Sequence, residues 1–326
     1  MYELYLVKKD RQLVITEIVG NISWKSSIDA LAVQLDFEVA FNDARFFPAN
    51  PIELGDMVVL VNNGKVVFQG FVVDENRNGR GGRDYTCFDA AFYLNESKTT
   101  VQFVKTPAAA AIERIVKEFE IPIGGIDVKG VPVTKIYNNR TPADIIRDII
   151  SHALLLTGQT YRMEVREGRF YVLNQQDLII YPTFKLADNV RSYPIGESIS
   201  NPKRKRSIQG MRNSVQVTSE DKIVYTIKES ATVKKYGLLQ ESINVDKQDV
   251  ESGRHKQIAN VLLGKLNRID DMLSFEVLGS DELRSGRLLY VEEETTGTND
   301  LYLITAASHT IKSGIHKTKL DLEPKP

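Results

Sequence analysis

Leu31-Ala32-Val33-Gln34-Leu35-Asp36-Phe37-Glu38-Val39-Ala40-Phe41 sets a large apolar side chain at every second position. A period of two belongs to a β-strand, so the Leu, Val and Phe side chains take one surface while Gln34, Asp36 and Glu38 take the other. The stretch is predicted to be one long strand in a sheet with a dry face and a wet face. Working outward, residues 57–61, the turn Asn62-Asn63-Gly64 and residues 66–73 read as a hairpin whose arms are apolar on both sides. Strands of that kind need a second covering layer, and another copy of the chain is one way to supply it. Val58, Val59, Val61, Val67 and Phe71 are therefore the candidate subunit-interface residues.

The rest of residues 1–96 has the same character. Further strands are predicted at 2–7, 13–19 and 85–93, punctuated by Pro48, Pro51, Gly55 and the loop Asn78-Gly79-Arg80-Gly81-Gly82, the pattern of a sandwich or barrel. At Thr106-Pro107 the period changes. Four alanines followed by Ile112, Ile115, Val116 and Phe119 make an amphipathic helix, with Thr106 as N-cap and Pro107 at its first position. Thr141-Pro142 repeats the device, with Asp144 completing a capping box and Ile145, Ile146, Ile149, Ile150, Ala153 and Leu154 as the buried stripe. The repeat fits a duplicated unit or a coincidence of good capping chemistry. A strand pair at 160–166 and 169–173 turns at Glu167-Gly168. Strands resume after Pro194 at 207–208, 214–218, 223–227, 273–278, 287–292, 301–310 and 316–322, interrupted by a helix built on Ile258, Val261, Leu262, Leu266 and Ile269. The predicted class is α+β, mainly β. Two barrel-like antiparallel β units, 1–96 and 188–229 with 272–326, flank a small α+β domain at 97–187, and the second carries a helical insertion at 230–271.

Chemistry is sparse. Lys+Arg 42 against Asp+Glu 43 leaves a net charge of -1, so bulk charge points to no polyanionic partner. The one dense basic cluster, Lys203-Arg204-Lys205-Arg206, reads as the start of an exposed strand, with contact to a polyanion or an acidic partner as its functional alternative. The single cysteine, Cys87, makes no internal disulfide and indicates a reducing compartment. Nothing resembles a secretory leader, and no run reaches the roughly 18 apolar residues of a membrane span, so no membrane insertion is expected. His152, His255, His309 and His316 show no helical metal-site spacing, and no metal or cofactor is expected. His152 reads as structural, while His309 and His316 flank the turn Lys312-Ser313-Gly314 and are placed to face each other across a hairpin. No G-x-S-x-G elbow occurs, and Gly79 to Gly82 and Gly124-Gly125 lack the strand-then-helix context of a phosphate cradle. Glu292-Glu293-Glu294 reads as a solvated strand end rather than a glycosidase pair. No catalytic residue is assigned.

Several strings, taken in order, resemble one family: Leu54-Gly55-Asp56-Met57-Val58-Val59-Leu60 with Val67-Phe68-Gln69-Gly70-Phe71-Val72, the two Thr-Pro helix starts, Arg206-Ser207-Ile208, Tyr236-Gly237 with Leu239-Gln240, and Gly314-Ile315-His316-Lys317-Thr318-Lys319-Leu320. Together they resemble the XkdQ/YqbQ family of phage-like tail proteins, related to the baseplate hub of contractile tails and to late-control protein D. The resemblance implies a homotrimer in which two tube domains per subunit make a pseudo-six-fold ring. That ring would join the tail tube protein to the spike protein among other baseplate proteins, and tape measure and DNA would pass through its lumen without sequence-specific binding. It further implies a location in the tail baseplate of a virion or phage-like particle assembled in the bacterial cytoplasm. Some members of such families carry fused cell-wall lytic domains; with the sequence ending at Pro326, none is expected here. The competing classes are a β-barrel module binding nucleic acid or sugar, marked by exposed aromatics among basic residues, and a tail-associated cell-wall hydrolase with two close carboxylates.

Overall fold

The computed structural model describes residues 2–9, 11–40, 50–77, 79, 81–184 and 193–325. Phe41, Pro48, Asn78, Arg80 and the expected boundary at 187/188 lie outside the described residues. The first unit has strands β1 (Tyr2–Lys8), β2 (Arg11–Val14), β3 (Val19–Ser27), β4 (Gln34–Val39), β5 (Met57–Asn62), β6 (Lys65–Arg77) and β7 (Arg83–Phe88). They pair in the order β3-β4-β7-β6-β5-β1-β2. Of the described residues in the stretch predicted as one strand over 31–41, only Gln34–Val39 is strand: there the alternation holds, with Leu35, Phe37 and Val39 buried and Glu38 exposed, whereas Leu31 and Ala32 precede it and are both buried in another core. Asn63 and Gly64 close the β5–β6 hairpin with φ of 48° and 78°, the two left-handed residues that a twisted two-residue turn requires. Five ladders separate β3 from β1, roughly 24 Å in a flat sheet. The rings of Tyr2 and Trp24 nevertheless lie 5.8 Å apart. The sheet is therefore rolled around one core, which includes Leu4, Leu6, Leu35, Phe37, Leu60 and Tyr85.

Two parts of this unit differ from expectation. The strand predicted over 85–93 stops at Phe88 and gives way to α1 (Ala91–Glu96), because the Asp89 carboxylate accepts the N–H groups of Ala91 at 3.0 Å and Val33 at 3.1 Å and turns the chain. The strand predicted over 13–19 is broken by a 3-10 turn at Thr16–Ile18, and β3, read as no element from sequence, follows it.

The middle unit runs through β8 (Thr99–Pro107), α2 (Ala108–Lys117), β9 (Ile123–Ile126), β10 (Pro132–Arg140), α3 (Pro142–Thr157), β11 (Tyr161–Arg166) and β12 (Arg169–Asn174). Helix α3 has the cap its sequence predicts but not the full capping box: Thr141 Oγ1 accepts the Asp144 N–H at 3.1 Å, Pro142 follows and Gly158 ends the helix at φ 71°, while the Asp144 carboxylate accepts from Arg147 at 2.9 Å. Helix α2 does not. Thr106 and Pro107 are held extended by pairing with Val133 and Pro132, so no side chain caps that helix. Ala111, Ile112 and Ile115 of α2 meet Ile145, Ile146 and Ile149 of α3 in a separate core, which Leu31 and Ala32 join from the first unit.

After short strands β13 (Ile179–Ile180), β14 (Thr183–Phe184) and β15 (Tyr193–Pro194) come β16 (Ser200–Ser207), β17 (Ser214–Ser219), β18 (Lys222–Lys228), α4 (Ser230–Tyr236), β19 (Gln240–Asn244), α5 (Lys247–Glu251), α6 (Arg254–Leu266), β20 (Asp270–Leu278), β21 (Leu288–Glu293), β22 (Thr298–Lys312) and β23 (Ile315–Pro324). Strand β22 pairs β23 along one edge and is long enough to serve two neighbours along the other: its first half pairs β21, and Ala306 to Ile311 pair β3. Strands from both ends of the chain thereby form one 13-stranded sheet. Residues 214–228, read as part of the second β-barrel, lie instead in a separate sheet β18-β17-β19, where Val215 and Val217 pack on Ile258, Ala259 and Leu263 of α6. The insertion is thus mixed α and β rather than helical. A strand's own period reports a buried face without saying which sheet supplies the cover.

Candidate functional site

The outer face of the long sheet changes chemistry along its width. One registered row runs Glu276, Lys319, Ser308, Lys25 and Gln34 from β20 to β4, then Phe88, Phe71, Met57 and Val7 from β7 to β1. Val59, Val61, Val67 and Phe71 of the expected interface are half-buried. Val58 is not available to a neighbour, since it is fully buried in the chain's own core: in a strand, Val58 and Val59 point to opposite faces. The outer layer expected from another copy is supplied in part by the chain itself. Tyr93 of α1 packs on Phe71 with centroids 5.7 Å apart, and Phe92 stacks on Phe88 at 5.6 Å.

The basic run occupies β16, an edge of the sheet among the described residues. Lys203 and Lys205 are exposed, while Arg204 is committed within the chain. Its guanidinium forks onto Asp271 at 2.8 and 2.6 Å and donates to the carbonyl of Thr296 at 2.7 Å. Arg206 lies 3.6 Å from the same carboxylate. Hydrogen bonding from Arg204 holds the Asp271 carboxyl below its ordinary range. Two of the four charges are therefore partnered by Asp271 within the chain, although the Arg206 side chain stays exposed, and a charged edge strand also discourages stray strand addition.

Two buried polar junctions, which sequence reading missed, tie the units together. In the first, between the first and last β units, the Tyr2 hydroxyl donates to Asp281 Oδ1 at 2.6 Å and lies 2.8 Å from His316 Nδ1. His316 Nε2 lies 3.0 Å from His309 Nδ1, and His309 Nε2 donates to the Leu283 carbonyl at 2.7 Å. Trp24 stacks on His309 with centroids 4.5 Å apart and planes 4° from parallel. The pairing of His309 and His316 was expected from their positions about the 312–314 turn; its embedding among residues from the chain's other end was not.

The second junction joins all three units. Arg162 of β11 donates to the carbonyls of Ser27 at 2.9 Å and Ile28 at 3.2 Å, and to Ser285 Oγ at 2.9 Å. Arg287 donates to Glu164 at 2.9 Å, and Arg284 to the Val165 carbonyl at 3.1 Å. Arg162 Nε and Arg287 Nη1 have no hydrogen-bond partner. Burial pushes Glu164 up, but the guanidiniums of Arg284 and Arg287 outweigh it and hold the carboxyl below its usual range. Burial pulls Arg162 down to about 10 and raises Asp89 to about 7. Gly286, at φ 83°, is required there, because a Cβ would lie 2.6 Å from Arg162 Cδ.

A cleft of about 750 Å³ between the middle unit and the insertion is lined by Lys135, Tyr137, Asp148, His152, Asp249 and Arg254. Four of its charged residues are paired, Lys135 with Asp148 at 3.0 Å and Arg254 with Asp249 at 3.2 Å; Lys105 and Asp246 also line it, and His152 is half-buried at its wall. Among the described residues no group of three or more His, Cys, Asp or Glu is placed to hold a metal ion, and no helix is long and apolar enough to cross a membrane.

This arrangement is the fold of phage tail proteins. The 43 kDa tail protein of prophage MuSo2 from Shewanella oneidensis superposes with a TM-score of 0.71 over 98% of this chain and 97% of that one, at 15% identity. An E. coli protein, c3393, described as a component of the type VI secretion system, superposes at 0.57 over 94% of this chain and 74% of its own, at 10% identity. Residues 22–323 match the YqbQ-like family model, and the chain belongs to that family. Its relative XkdQ, of phage-like element PBSX from Bacillus subtilis (strain 168), is 23% identical over 278 residues, 83% of this chain and 82% of the relative.

Proposed function

We propose that this chain is a structural baseplate hub of a phage or phage-like tail. Three copies close a pseudo-six-fold ring that joins a hexameric tail tube to a trimeric spike and continues the channel through which tape measure and DNA pass. One observation carries the reading: pairing of Ala306 to Ile311 with Ser27 to Ile22 makes the terminal β units one continuous sheet. Each copy then brings two β units at a fixed spacing, which is what matching three-fold to six-fold symmetry asks of a subunit. Family membership and the tail-protein fold support it. The half-buried residues Val59, Val61 and Phe71 form the surface assigned to the neighbouring copy, Val67 packing instead on the first unit's own core, and exposed Lys203 and Lys205 are assigned to contact with the tube, the spike or another baseplate protein. The role is one of assembly, with no reaction performed.

Mass in solution, measured for the chain alone and then with the tube and spike proteins of the same particle, tests this. A three-copy ring, with or without those partners, is expected. A chain that stays monomeric with both partners present, and instead binds oligonucleotide with steep salt dependence or cleaves peptidoglycan, refutes it.

A further inference from the structure

The polar atoms between the first and last β units form a single run: Asp281 carboxylate, Tyr2 hydroxyl, His316, His309, Leu283 carbonyl. Its four contacts measure 2.6, 2.8, 3.0 and 2.7 Å. Each contact needs one proton between its two heavy atoms. The Leu283 carbonyl only accepts, so His309 Nε2 carries a proton in every state and neutral His309 offers Nδ1 as an acceptor. Tyr2, neutral His316 and neutral His309 together bring three protons for four contacts. A fourth, placed on His316, lets that ring donate both to Tyr2 and to His309 and completes the run. A fifth would sit on His309 Nδ1 and point at the His316 Nε2 proton across 3.0 Å, donor against donor and cation against cation. The Thr318 hydroxyl, 3.0 Å from the same His309 nitrogen, can accept that proton by turning its own hydrogen away, but the two cationic rings then still face each other across 3.0 Å with little water between them.

We propose that the His309–His316 pair is an acid-operated latch, holding Tyr2 and the 279–286 loop against each other while it carries no more than one extra proton and releasing them when a second is forced in. The groups facing the pair are the Tyr2 hydroxyl from β1, the Trp24 ring from β3, the Asn62 amide of β5 that donates to Asp281 at 2.8 Å, Thr318 from β23, and Asp281 and Arg284 from the loop. The His316 ring is held in place by close packing, since a Cβ on Gly279 would fall 1.9 Å from it. Burial lowers His316 to about 4, with Asp281 acting in the opposite direction. Burial lowers His309 to about 3, and the His316 charge adds to it. Both values lie under the ordinary histidine value of about 6.5. The open state therefore binds more protons below that pH. Closure is strongest above about 6.5 and weakens as pH falls toward the two depressed values: the first proton, on His316, is opposed by burial but completes the run, whereas the second, on His309, has no place in it and releases the latch. The β3–β22 ladder, which contains neither Tyr2 nor the loop, keeps the units attached, so the opening is local.

Trp24 is the chain's only tryptophan and is 5% exposed, so its emission maximum reports the latch directly. The experiment titrates the full-length protein from pH 8 to pH 3, following Trp24 emission, far-ultraviolet circular dichroism and the imidazole carbon-bound proton signals. The expected result is a red shift that precedes loss of the β signal, with two of the four histidines silent between pH 7 and pH 5. In His316→Gln, whose amide oxygen accepts from a charged His309, the shift should move at least half a pH unit further into acid. His309 and His316 titrating at ordinary values with Trp24 emission unchanged, a shift that comes only with global unfolding, or equal midpoints in wild type and His316→Gln would each overturn the proposal. If His316→Gln fails to reproduce the wild-type β signal at pH 7, the wild-type imidazole and emission titrations alone decide.

Discussion

Replacing Glu164 by Gln keeps the shape of the three-unit junction and removes one charge. Glu164 and Arg287 are 4% and 7% exposed and 2.9 Å apart. Without the carboxylate, the guanidiniums of Arg162, Arg284 and Arg287 lose the one negative charge they share, and Arg284 is left with Asp89, which burial lifts to about 7. A charge pair about 4 Å apart is worth about 4 kcal/mol at an effective dielectric of about 20. Breaking a buried pair from one side typically costs about 3–5 kcal/mol. Arg287 already has one nitrogen without a partner, so it cannot absorb the loss by re-pairing that nitrogen in place. We expect Glu164→Gln to cost about 3–4 kcal/mol and to lower the first calorimetric transition by about 6–12 °C, at the few degrees per kcal/mol usual for domains of this size. The loss should localise: protease should cut first in the 279–286 loop, which carries Arg284 and Ser285. Removing both partners in Glu164→Met with Arg287→Met should cost less than the sum of the single changes by at least about 1.5 kcal/mol. Because the Glu164 carboxyl is held below its unfolded value, its contribution is present above that value and lost as pH falls through the native one. A Glu164→Gln protein within about 1 kcal/mol of wild type, or an additive double mutant, would refute the view that this network holds the three units together.

Three further outcomes follow from individual contacts. Val58→Asp should unfold the first unit, whereas Val59→Asp, on the opposite face, should leave circular dichroism unchanged and abolish ring assembly in a mass measurement. Gly70→Ala should destabilise by about 2–3 kcal/mol in urea, since its Cβ would lie 2.3 Å from the Phe88 carbonyl and 2.5 Å from Phe68, with backbone unable to yield cheaply. Thr141→Ala should cost about 1 kcal/mol through loss of the α3 cap. Thr106→Ala, which caps nothing, should stay within about 0.5 kcal/mol of wild type.

What the sequence disclosed and what it hid divide along one physical line. Periodicity is local, and wherever a strand's cover lies in its own hairpin or a helix's cap in its own turn, the pattern was readable: β4, the Asn63-Gly64 hairpin, the α3 cap, and the meeting of His309 with His316 around a tight turn. Strand β3 escaped because its buried side is Ile22, Trp24 and Ser26 and its other side is Asn21, Ser23 and Lys25, a mixture that resembles a loop until β4 and β22 flank it. The charges of β11 escaped for the opposite reason. Arg162 and Glu164 alternate with Met163 and Val165 as a wet face should, yet that face is covered by Arg284, Ser285 and Arg287 from a segment far along the chain. The ties between units are thus the polar ones, which no hydropathy pattern marks. Apolar contact is non-directional, so cores alone would let the units dock at many angles. The fork of Arg162 onto two backbone carbonyls and the Tyr2–Asp281 bond each accept few geometries. If the chain serves as a hub, fixing the spacing of its two β units is the property that matters most, and a polar lock between them achieves this where a further apolar seam would leave their angle free.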